Sequence, residues 1–184
     1  MIPRKALDRW ESFQQQKKES FLSYKSEIMI IIYGAYNPPS DGRHLGEKER
    51  LIKLRDGLKN DGYVLTFIVE DFPTNKKSVS PNLDKSFECL RFADLNILVF
   101  TCRGKTGSVT RELNYAIENS LLSRCRVFEE VHNNIYAMET LLREELKEVR
   151  YSLVSVEYEN DTDLYEHVLG DVVPFLQRYV KKLG

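Results

Sequence analysis

Apolar runs alternate with amphipathic stretches along nearly the whole chain. The runs 28–33, 63–69, 95–101, 125–128 and 151–158 are rich in Ile, Val, Leu and Phe. Most are continuously apolar, the pattern of strands covered on both faces in a parallel sheet. Helix-length stretches fill the gaps. Positions 46–60 carry Leu51, Leu54 and Leu58 at helical spacing, and Asn60-Asp61-Gly62 supplies a stop. Asn82 is an expected N-cap for a helix with Leu83, Phe87 and Leu90 inside. A third helix is expected over 107–120, around Val109, Leu113, Ala116 and Ile117, and a fourth over 134–147, with Ile135, Met138, Leu142 and Leu146 as its stripe. The last, capped by Asp161 or Thr162, carries Leu164, Val168 and Phe175 and is expected to kink near Gly170 and Pro174.

Strand-then-helix units in succession predict an α/β fold. The expected form is a flavodoxin-like, three-layer, doubly wound parallel five-stranded sheet in the order 2-1-3-4-5. Residues 1–26 stand apart as a helical arm preceding a Rossmann-like nucleotide-binding domain over 27–184. On the arm, Leu7, Trp10, Phe13, Phe21 and Leu22 form an apolar stripe. It either packs on the chain's own sheet or forms a homodimer contact.

Composition narrows the function. The 184 residues include 27 Lys and Arg against 28 Asp and Glu, a net charge of -1, which provides no overall field for a large nucleic acid. Nine Gly and six Pro are too few for a linker-rich or low-complexity chain. No apolar run approaches a membrane span and no signal-peptide core opens the chain, so a soluble, cytoplasmic protein is expected. Cys89, Cys102 and Cys125, like His44, His132 and His167, are too scattered for a metal motif or a disulfide framework. No metal or cofactor is therefore expected.

In an open α/β sheet the ligand crevice lies at the carboxyl ends of the strands, where the strand order switches. Here that is between the first and third runs. The segments bordering it are the loop after the first run, the loop Glu70 to Pro81, and the segment Cys102 to Glu112. Gly34, Tyr36, Asn37 and Arg43 on the first loop are candidate ligand contacts; the same loop holds Asp41 and His44. It lacks the GxGxxG fingerprint. Gly104-Lys105-Thr106 resembles part of a P-loop, but Val99 occupies the position of the motif's first glycine. What remains is a turn feeding a helix N-terminus, suited to an anion, with Arg103, Lys105, Gly107 and Ser108 as candidate contacts. Glu112 follows early in that helix, and Asp84 opens the preceding one. An ionised carboxylate over a sugar can attack its anomeric carbon while a second carboxyl group protonates the departing base. The same two acids are also what a helix dipole favours in a first turn.

Several of these segments together resemble the nucleoside 2-deoxyribosyltransferase-like superfamily: Gly34 ending an apolar strand, Asp84 opening a helix, the junction Phe92-Ala93-Asp94-Leu95, and Gly107-Ser108-Val109-Thr110-Arg111-Glu112-Leu113-Asn114-Tyr115-Ala116. That superfamily includes deoxynucleotide N-glycosidases and is akin to TIR domains. The resemblance covers roughly 28–130, with Ser108 and Asn114 where the family pattern has glycines. It implies Glu112 as nucleophile, Asp84 as its assistant, and a small nucleoside or nucleotide as substrate. The activity implied is hydrolysis or transfer at an N-glycosidic bond. The alternatives are a non-catalytic nucleotide-binding module and a TIR-like interaction module assembled through its N-terminal helix.

Overall fold

A computed structural model describes residues 4–35, 46–74, 78–157 and 163–183. The expected Tyr36, Asn37 and Arg43 contacts and the Asp161 or Thr162 cap lie outside them. The chain runs α1 (Arg4–Glu27), β1 (Ile30–Tyr33), α2 (Glu47–Asn60), β2 (Thr66–Ile68), α3 (Pro81–Phe92), β3 (Leu95–Phe100), α4 (Gly107–Glu118), β4 (Cys125–His132), β5 (Ile135–Tyr136), α5 (Thr140–Glu148), β6 (Val154–Glu157) and α6 (Asp163–Leu183). β2, β1, β3, β4 and β6 pair in parallel in that order, which is the 2-1-3-4-5 arrangement of the five apolar runs.

Strand alternation divides the apolar side chains between two cores. Ile30 and Ile32 of β1 face Leu51, Leu54 and Leu58 of α2 and Val168 and Val172 of α6. Ile31 and Tyr33 face the other way, towards Leu90 of α3 and Val109, Leu113 and Ala116 of α4. Because the helix after β1 lies on one face and those after β2 and β3 on the other, the strand order switches between β1 and β3. Two buried polar groups lock this centre: the Tyr33 hydroxyl donates to Asn96 Oδ1 at 3.0 Å, and Asn96 Nδ2 donates to the Leu90 carbonyl at 3.0 Å.

The structure departs from the sequence reading at β4. That strand continues past Phe128 to His132, because Glu129 and Glu130 are buried and charge-paired rather than exposed. Asn133 and Asn134 then adopt positive φ angles of 50° and 63°, turning the chain into a hairpin. β5 consequently replaces the first turn of the expected 134–147 helix, and Ile135 is exposed instead of facing inward. α3 begins at Pro81 after an N-cap at Ser80, since Pro suits the first helical position and Asn82 is already inside the helix. α6 extends as one helix from Asp163 to Leu183 with Pro174 within it.

Among the described residues, the end of α1 meets the body through Phe21 and through Lys25, whose ammonium donates to the Asp61 carbonyl at 3.0 Å. Leu7, Trp10 and Phe13 are exposed. Among the described residues, no helix is long and apolar enough to cross a membrane.

Candidate functional site

A cavity of about 340 Å³ opens at the carboxyl ends of β1 and β2, between α3 and α4. Gly34 follows β1 and supplies one wall. A Cβ there would lie 3.0 Å from Leu51 Cδ1 and 3.3 Å from the Val99 carbonyl oxygen, so a larger residue would press on the core. Glu70 follows β2, and α3 contributes Asn82, Lys85 and Ser86. From α4 come Ser108, Arg111 and Glu112, one helical turn and less apart, so they share the crevice-facing side.

Glu112 dominates the chemistry. Its residue is only 7% exposed, and Ser86 Oγ donates a hydrogen bond to its Oε1. Oε2 is buried and has no hydrogen-bond partner among the described residues. Burial pushes the carboxyl up to about 7, against the Ser86 hydrogen bond and assisted by the negative charge of Glu70. A carboxyl poised there carries or releases a proton near neutral pH. Lys85, also buried, donates to the Phe72 carbonyl at 3.2 Å and presents a cation to the same cavity.

The candidate residues divide. Gly34, Ser108 and Glu112 meet in the cavity. Asp84 lies across α3, where Ser78 Oγ donates to its Oδ2 in an adjacent hollow bordered by Phe87 and Tyr115. Arg103 turns towards Glu47, with its Nε 3.6 Å from Oε1. Glu47 in turn belongs to a buried cluster in which Arg50 Nη1 donates to Glu47 Oε2 and Glu130 Oε2, each at 3.2 Å, while Arg50 Nη2 bonds Glu130 Oε1. Burial raises the Glu47 carboxyl, with Arg50 opposing. Lys105 and Gly107 are exposed and do not line the cavity.

Glu70, Asn82, Lys85, Ser86 and Arg111 line the cavity but were not among the ligand contacts expected from the sequence. The rule that ligands bind beyond strand ends marked Glu70, the first residue after the second run. Nothing local marks Ser86 as the partner of an acid 26 residues away. Among the described residues, no three His, Cys, Asp or Glu side chains are placed to hold a metal ion.

Neither a protein-family profile nor a curated protein matches the sequence. Among solved structures, the chain is similar to that of the Clostridium botulinum CMP N-glycosidase BcmB, at 12% identity and a TM-score of 0.49, over 75% of this chain and 96% of that one.

Proposed function

We propose that this protein hydrolyses or transfers at the N-glycosidic bond of a small nucleoside or nucleotide, with Glu112 as nucleophile. The observation that carries this reading is the Glu112 carboxyl: buried at the strand-order switch, held through one oxygen by Ser86, without a hydrogen-bond partner among the described residues at the other, and lining a cavity of about 340 Å³. That volume is in the range of small-molecule sites.

The ionised Glu112 attacks the anomeric carbon, the bond to the base breaks with its electron pair going to the base, and the base takes up a proton. Water or an acceptor base then displaces Glu112. Glu70 lines the same cavity and is placed for the proton transfers, whereas Asp84 lies in the neighbouring hollow. Lys85 and Arg111 supply positive charge for an anionic substituent on the substrate.

A non-catalytic nucleotide-binding module is the competing reading, favoured by the separation of Asp84 from Glu112. Incubation with nucleosides, nucleotides and NAD, with free base followed by chromatography, decides between them. Base release that disappears in Glu112→Gln is expected. Nucleotide binding without base release from any compound would overturn the enzyme reading.

A further inference from the structure

We propose that a second hollow, at the amino-terminal ends of β4 and β6, binds a phosphate monoester carried on an apolar body. It is remote from Glu112: its walls are the turn before β4, the segment joining α5 to β6, and one side of α6, whereas the Glu112 cavity lies beyond the carboxyl ends of the strands. Its volume is about 450 Å³.

Charge is the first argument. Among the described residues, the walls carry Arg126, Arg150 and Arg178 against a single acid, Asp171, a balance of +2. Arg126 is satisfied within the fold: its Nε lies 2.9 Å from Asp171 Oδ2, and its guanidinium sits 4.7 Å from the centre of the Phe175 ring. Arg150 and Arg178 are different. Both are exposed, and among the described residues neither has a carboxylate partner. Arg178 donates only to the Pro174 carbonyl, at 3.3 Å. Two uncompensated guanidinium groups at one hollow match the charge of a phosphate monoester dianion, and their forked donors match its oxygens.

Backbone conformation is the second argument. Arg150 follows α5 at φ 55°, a left-handed position that glycine occupies at least cost. Its exposed side chain borders the hollow.

The rest of the lining completes the chemistry. Leu122, Val149, Val154 and the Tyr151 ring add apolar surface, and the Tyr151 hydroxyl donates to the Cys125 carbonyl at 2.8 Å. Ser123 and Ser152 also line the hollow. A bare ion would leave the apolar surface unused, and an apolar molecule would leave the arginines unused.

Phenyl phosphate, benzoate and inorganic phosphate are the probes, titrated calorimetrically into the full chain. Phenyl phosphate is expected to bind more tightly than either of the others. The double variant Arg150→Gln/Arg178→Gln should weaken it by at least about tenfold, while Glu112→Gln leaves it unchanged. Absence of phenyl phosphate binding overturns the proposal, as does full affinity in the double variant. Loss in Glu112→Gln would assign the binding to the other cavity. Equal affinity for benzoate would overturn the choice of a dianion. None of these outcomes depends on whether the protein releases a base.

Discussion

Ser86 on α3 donates a hydrogen bond to Glu112 on α4 and so fixes one oxygen of the carboxyl group that burial otherwise drives towards neutrality. The bond favours the ionised form, while burial and Glu70 favour the protonated one. Removing it in Ser86→Ala is therefore expected to raise the Glu112 pKa above about 7, by roughly one unit, given the worth of a hydrogen bond to a charged group. Carbon-13 NMR titration of labelled glutamates reads this directly. If Glu112 is the nucleophile, base release also moves to higher pH, and Ser86→Thr, which keeps the hydroxyl, restores the original profile. An unmoved titration in Ser86→Ala would show that the bond does not hold the charge.

The same carboxyl makes stability depend on pH. Its ordinary value is 4.5 and its value in the fold about 7, so between them the folded state retains a proton that the unfolded chain has lost. The stability this group contributes is fully present below 4.5 and is lost as pH rises to about 7. Glu112→Gln never ionises and escapes that loss. It should exceed the parent protein by up to about 3 kcal/mol at pH 8, with the difference closing near pH 4. Urea unfolding at both pH values tests this; a variant no more stable at pH 8 would contradict the raised pKa.

Arg50 lies between Glu47 and Glu130, all three buried. Arg50→Met would leave two carboxylates out of water with their shared guanidinium gone. A loss of about 3 to 5 kcal/mol is expected, because Glu130 would lose its guanidinium partner and Glu47 would keep the more distant Arg103, 3.6 Å away. Denaturant unfolding measures it. A loss below about 1 kcal/mol would mean that the buried cluster contributes little to stability.

Gly104 and Gly107 separate two roles in one glycine-rich turn. A Cβ on Gly104 would sit 2.4 Å from Ala35 Cβ and 2.6 Å from Thr101 Oγ1, whereas one on Gly107 meets nothing within 4 Å. Gly104→Ala should therefore cost about 1 to 3 kcal/mol through overpacking. Gly107→Ala, at the start of α4, should be neutral or stabilising by up to about 1 kcal/mol. Thermal unfolding of the two variants side by side checks the contrast. Equal effects would show that the Gly104 contacts relax freely.

Position along the chain and hydrophobic period alone determined the sheet. Ile30 to Tyr33, Leu95 to Phe100 and the Leu51, Leu54 and Leu58 stripe are local patterns, and short right-handed crossovers then leave little freedom in strand order. Glu112 was legible for the same reason, since its place in the first turns of a helix after a strand is set by neighbouring residues. The sequence could not show what Glu129 and Glu130 do, because a charged residue reads as exposed until a distant partner is known. Arg50 and Arg143, 80 and 14 residues away, bury them and lengthen β4. Asp84 and Ser86 are two residues apart on one helix, and the roughly 200° of helical rotation between them sends one to Ser78 and the other to Glu112. Helical rotation against a packed neighbour decides which side chain enters a cavity, and that rotation is settled only when α3 and α4 meet on the sheet.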